Sequence, residues 1–216
     1  MNLNEILESI KNWNDLRNPQ GASLISNYFF EGNSFLYDPT NLNVTKNDLV
    51  HVYFGINEET IKVFIIPSDK DTPQQSASAE GIFPYITVKS LEKSILDSEN
   101  VGGEIPAQEA ISRIENWENN YSTWLEAQSM TQDNIFQAFA IPSSDTANDH
   151  HLRIYLGLKE NPTGGADLAD LVVFDSLANG KLKATARYFD MARPVPPFSA
   201  HGALKESNFY LLELAN

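Results

Sequence analysis

Cysteine is absent from this 216-residue chain. Disulfides, thiolate nucleophiles, iron–sulfur clusters and the commonest structural zinc sites are thereby excluded together. Basic residues are scarce: 15 Lys and Arg stand against 29 Asp and Glu, a formal net charge of -14, and no basic block occurs. Nucleic-acid binders draw affinity from Lys and Arg set against phosphates, so this surface repels a duplex, and it repels an anionic membrane for the same reason. Neither nucleic acid nor membrane is an expected partner. Long apolar runs are missing too, since no stretch approaches the roughly 20 apolar residues of a membrane span. The opening Met1-Asn2-Leu3-Asn4-Glu5 has no basic leader and no apolar core of a signal peptide. The expected location is cytoplasmic.

The familiar catalytic templates are also lacking. Gly164-Gly165 belongs to a turn, and no glycine-rich phosphate loop leads from a strand into a helix. No Gly-x-Ser-x-Gly elbow and no His-Glu-x-x-His helix is present. No cofactor is implied.

What the chain does contain is self-similarity. Leu3, Ile6, Leu7, Ile10 and Trp13 form one apolar stripe at three- and four-residue steps, with Asn2 or Asn4 placed to cap the helix and Pro19-Gln20-Gly21 to stop it. Ala107, Ala110, Ile111, Ile114 and Trp117 repeat that phase. There Tyr121, Trp124 and Leu125 continue the stripe, so the second helix is expected to be longer. The following strands match as well: Leu49-Val50-His51-Val52-Tyr53-Phe54-Gly55-Ile56 reads onto His151-Leu152-Arg153-Ile154-Tyr155-Leu156-Gly157-Leu158. Each is preceded by an apolar segment ending in proline (35 to 39; 139 to 142) and followed by an apolar run, Val63 to Ile66 or Leu171 to Phe174. A fourth run follows in each, Ile82 to Val88 and Ala184 to Met191.

The expected fold is therefore α+β, with two tandem copies of a helix followed by an antiparallel β-meander of about four strands. Residues 1–101 and 104–216 are the two units, with Gly102-Gly103 at the seam. Each alone makes a marginal core, so they are expected to pack as one pseudo-twofold body. The polar stretch Pro67 to Gly81 reads as a mobile connection.

Two constellations carry polar chemistry. Asp145, Asp149, His150 and His151 mix carboxylates with imidazoles, but adjacent histidines on an extended chain point to opposite faces, and a solvated loop is the better reading than a metal site. Tyr188, Asp190, Arg193, Phe198 and His201 surround Arg193-Pro194-Val195-Pro196-Pro197. An acid, a guanidinium, aromatics and an imidazole on a proline-stiffened loop suit a small-molecule pocket, whereas an Asp190–Arg193 surface pair would be of little consequence.

The function expected first is a non-catalytic binding or interaction protein, associating as a homodimer or with a protein partner. The alternatives are an enzyme or small-ligand binder using residues 188–201, and an acidic inhibitor of a basic protein.

Overall fold

The computed structural model describes residues 1–39, 49–77, 81–94, 105–130, 135–143, 152–175, 188–189, 193–195 and 209–215. The helices are α1 (Leu3–Leu16), α2 (Ala22–Ile25), α3 (Pro73–Ser76), α4 (Ala107–Ser129) and α5 (Tyr210–Ala215). The strands are β1 (Ser34–Tyr37), β2 (Leu49–Asn57), β3 (Thr60–Pro67), β4 (Thr87–Ser90), β5 (Ala138–Pro142), β6 (Leu152–Lys159), β7 (Leu168–Asp175), β8 (Tyr188–Phe189) and β9 (Arg193–Val195). The chain is thus α+β. No helix among the described residues is long and apolar enough to cross a membrane.

Local chemistry accounts for the element ends. Asn2 caps α1 through a capping box: its side chain accepts from the Glu5 N–H at 3.1 Å, and Glu5 Oε2 accepts from the Asn2 N–H at 2.8 Å. The tight β2–β3 hairpin places Glu58 and Glu59 at positive φ (48° and 63°), the twist a two-residue turn demands even though neither residue favours it. In the longer β6–β7 turn glycines take that role, with Gly164 at φ 81° and Gly165 at φ 100°. The fourth run of the first half is shifted from its expected place. Phe83–Tyr85, held by Pro84, forms a 3₁₀ turn, and the strand begins only at Thr87.

Among the described residues all strand pairs are antiparallel, and they form two sheets, ordered β1-β6-β7-β8 and β4-β3-β2-β5-β9. Here the topology departs from a simple meander. β1 leaves the strands that follow it in sequence and pairs with β6, Phe35 opposite Ile154. β5 does the converse, pairing with β2 and setting Phe139 opposite Val52. The four-stranded sheet therefore contains one strand from the first half of the chain, β1, and the five-stranded sheet two from the second, β5 and β9. A bridge from Ser34 to Glu92, with N–H···O distances of 2.7 and 3.2 Å, ties β1 to the chain leaving β4 and links the sheets along one edge.

The alternation of side chains sorts the core into layers. Val52, Phe54, Val63 and Ile65 of one sheet and Leu152, Ile154, Leu171 and Val173 of the other belong to one buried cluster, so the sheets pack face to face. Tyr53, Phe64 and Ile66 point outward under Ile6 and Ile10 of α1, joined by Leu211 and Leu212 of α5. Tyr155, Val172 and Phe174 point outward under Ala110 and Ile114 of α4. Burial on both faces explains why β2, β3, β6 and β7 read as nearly continuous apolar runs and not as alternating ones. Trp13 and Trp117 enter the central cluster from the two helices, and Phe29 stands edge-on between them, with ring centroids 5.8 and 5.3 Å away.

Of two glycines at matching places, only Gly55 limits how closely a helix lies on its sheet. A Cβ on Gly55 would fall 2.7 Å from the Phe64 ring and 2.8 Å from the Ser9 backbone, while one on Gly157 would come no nearer than 3.4 Å to Arg113 and Val172. Gly55→Ala is expected to lower stability by about 1–3 kcal/mol through overpacking. Gly157→Ala is expected to change it by less than about 0.5 kcal/mol. Urea denaturation midpoints of the two variants check the difference, and equal losses would contradict it.

Candidate functional site

The predicted polar constellations are only partly described. Asp145, Asp149, His150 and His151 lie outside the described residues, as do Asp190, Phe198 and His201. Tyr188 and Arg193 are described in backbone alone, and they belong to different sheets. Tyr188 pairs with Phe174 in the four-stranded sheet, and Arg193 pairs with Ala140 in the five-stranded one. Pro194, beside Arg193, lines a cavity of ≈ 280 Å³ with Trp124, Phe136 and Asp167.

The register brings Arg193 into line with a cluster that sequence reasoning missed. Ala140 pairs with Arg193 on one side and with His51 on the other, so Arg193 lies two strands, roughly 10 Å, from His51. His51 and Tyr53 are two residues apart on β2 and share its outward face. Between them lies Asp71, from the loop after β3, wholly buried although its surroundings read as a mobile connection. The Asp71 carboxylate faces His51 Nδ1 at 2.6 Å, accepts from the Tyr53 hydroxyl through the same oxygen, and accepts from the Leu211 N–H at 3.1 Å through the other. Phe209 stacks on the His51 ring at 4.2 Å. These hydrogen bonds hold the loop and seat α5 on the sheet. The sequence signal was available: an imidazole and a phenol at i and i+2 on one face of an otherwise apolar strand need a buried partner.

With Asp71 as acceptor, His51 Nδ1 carries the proton and Nε2 is left without a hydrogen-bond partner among the described residues. A carboxylate-oriented imidazole with a free nitrogen is the arrangement of a general base. Here it is closed off: His51, Tyr53 and Asp71 have no exposed side-chain surface to speak of, and none of the described cavities is lined by them. Its role in this conformation is to dock the C-terminal helix. Asp170 is likewise buried, but Arg113 at 2.7 Å and Lys159 at 3.2 Å neutralise it and tie α4 to the β6–β7 hairpin.

A second site is open. A cleft of ≈ 350 Å³ lies between α4 and the chain leading into β1, lined by Phe29, Phe30, Asn33, Trp117, Glu118 and Tyr121, with Gly32, Lys93 and Ser94 completing it. Tyr121 stacks on Trp117 at 5.9 Å, and Phe30 stands 73% exposed at the rim. Gly32 helps to shape this space. Two residues before β5, Phe136 packs on Trp13 at 5.7 Å. Two residues before β1 stands Gly32, where a Cβ would fall 2.5 Å from that of Leu91, so no side chain projects there, while Trp117 itself stays buried against Phe29, Tyr121, Trp124 and Phe136. The polar end is organised by buried Asn33. Its Oδ1 accepts from the Ser94 N–H at 3.0 Å, and its Nδ2 donates to the Ser94 carbonyl at 3.1 Å and to Glu118 Oε1.

No protein-family model, no curated protein and no solved structure matches this chain.

Three phenols are held neutral. Burial raises Tyr53 well above the ordinary tyrosine range, and the Asp71 carboxylate adds to it. Burial also raises Tyr37, with Asp38 adding to it, and raises Tyr155 against an opposing hydrogen bond from Ser94. Above pH ~10 an unfolded tyrosine ionises. The folded chain then binds protons that the unfolded chain has lost, so stability conferred by these groups is complete below that pH and falls as pH rises beyond it. In a spectrophotometric titration of the 8 tyrosines, these three are expected to ionise only as the protein unfolds. Ionisation of all of them in the native state would refute their burial.

Proposed function

We propose that this is a non-catalytic binding protein whose ligand site is the aromatic cleft over Trp117. The observation that carries the reading is the cleft beside Gly32, where a Cβ would meet Leu91 at 2.5 Å, lined by Phe29, Phe30, Tyr121 and an otherwise buried Trp117. A cleft of this size, with an apolar floor and a few convergent polar groups, is the usual form of a small-molecule site. The imidazole and carboxylate that could do proton chemistry are sealed elsewhere under Phe209 and α5, which favours binding over catalysis. A neutral aromatic probe, benzyl alcohol, is expected to shift the NMR signals of Trp117 and Tyr121 and leave those of Trp13 unmoved. Phe30→Ala and Tyr121→Ala are each expected to weaken it by roughly 3- to 10-fold, the worth of one aromatic contact. Shifts confined to other tryptophans would overturn the assignment.

We also infer that the body is a duplicated unit, residues 1–101 and 104–216, whose first strands have been exchanged. Support comes from contacts that recur at matching places. The Asn12 amide donates to the Ile56 carbonyl at 3.3 Å, and the Asn116 amide to the Leu158 carbonyl at 3.3 Å. Phe54 N–H bonds the Gln137 carbonyl at 3.4 Å, and Leu156 N–H bonds the Asn33 carbonyl at 2.8 Å. Gln137 donates its amide to Asn14 at 2.9 Å, as Asn33 does to Glu118. The pairing Tyr53↔Ala138 has its counterpart in Tyr155↔Ser34. Produced separately, neither segment is expected to unfold cooperatively as a monomer, because the first lacks β5 and β9 of its sheet and the second lacks β1, while an equimolar mixture is expected to do so. A segment that folds alone as a monomer would refute the exchange.

A further inference from the structure

Two charged side chains line the aromatic cleft, and neither forms an ion pair with a described residue. Lys93 is exposed and makes no hydrogen bond or ion pair with any described residue, in a chain with 29 acidic residues against 15 basic ones. Glu118 gives Oε1 to the Asn33 amide, and its second oxygen takes no donor among the described residues. The two do not pair with each other. One amide nevertheless holds both in place: buried Asn33 fixes Glu118 through Nδ2 and fixes Ser94, the neighbour of Lys93, through bonds to its N–H and its carbonyl. The cleft thus offers an anchored carboxylate, an ammonium on an anchored stretch of chain, and an aromatic floor of Phe29, Trp117 and Tyr121.

Charge complementarity selects among occupants. A neutral aromatic satisfies the floor and leaves both charges in water. An aromatic amine meets Glu118 but faces the Lys93 ammonium, and an aromatic acid meets Lys93 but faces Glu118. A molecule with an ammonium and a carboxylate on one short stem beside a ring satisfies all three surfaces. We propose that the cleft binds a free aromatic α-amino acid as its zwitterion. The ring lies against Phe30 and Tyr121, above the buried Phe29 and Trp117, the carboxylate meets Lys93, and the ammonium meets the second oxygen of Glu118. This assignment rests on the reading of the cleft as a ligand site, and the ≈ 350 Å³ available falls within the roughly 300–1,000 Å³ of such sites.

Four probes sharing one ring separate the two levels of the proposal: L-phenylalanine, phenethylamine, 3-phenylpropionate and benzyl alcohol, each titrated calorimetrically into the full chain. Phenylalanine is expected to bind at least roughly tenfold more tightly than any of the others, since each charged hydrogen bond it adds is of that size. Lys93→Met is expected to bring phenylalanine down to the level of phenethylamine, and Glu118→Gln to that of 3-phenylpropionate. Should Glu118→Gln disturb Asn33, Lys93→Met, made at an exposed side chain, still decides the matter. Equal affinity for all four probes would overturn the ligand class and leave the cleft standing as a binding site. No binding by any of them would overturn both.

Discussion

The backbone hydrogen bonds of β1 and β5 are made across the chain, to β6 and β2, and most of the molecule depends on that crossing. A strand that left its partner would expose a row of unpaired N–H and C=O groups, and buried backbone polar groups are almost always satisfied. Each sheet is therefore complete only when the other half supplies β1, or β5 and β9. The inner faces of both sheets then close over one apolar cluster, from Phe35 and Val52 on one side to Phe139 and Ile154 on the other. Trp13 reinforces the arrangement by donating its indole N–H to the Phe136 carbonyl at 3.0 Å, just ahead of the crossing β5.

Within that frame the two ends of the molecule have diverged, and the divergence bears on function. At Trp13 the space beside the indole is filled by Phe136. At Trp117 the close approach of Leu91 to Gly32 forbids a side chain, and a cleft results. On the outer faces, α5 lies with α1 over Tyr53 and Phe64, anchored at Asp71, whereas over Tyr155 the contact comes from Ser94, its hydroxyl 3.2 Å from the phenol. A buried carboxylate with three donors around it is expensive to break once formed, because each donor would be left unpaired. It acts as a specific lock for the C-terminal helix, where an apolar contact would be less selective.

How far these features could be read in advance depends on the range of the interaction. The α1 stripe, its Asn2 cap, the greater length of α4 and the hairpin glycines at 164 and 165 are set by contacts within a few residues, and all were legible. Strands β2, β3, β6 and β7 were legible for a different reason: burial on both faces leaves a nearly unbroken apolar run. Asp71 was not legible, because a lone acid in a polar loop has no local mark of being buried, and only the convergence of His51, Tyr53 and Leu211 gives it partners. The cleft was hidden likewise, since Gly32 lies about 85 residues from Trp117 and nothing near it in sequence announces an opening.

The amino-acid sequence by itself determined the class of structure, the placement of most helices and strands, and the apolar faces they must bury, because periodicity and capping act over one or two turns of chain. The tertiary structure alone decided which strand pairs with which, where a cleft opens and which buried acid finds its donors. Strand pairing satisfies the same hydrogen bonds whether the partner is near or far in sequence. Only the simultaneous packing of both sheets and both helices distinguishes the crossed arrangement from the simple meander.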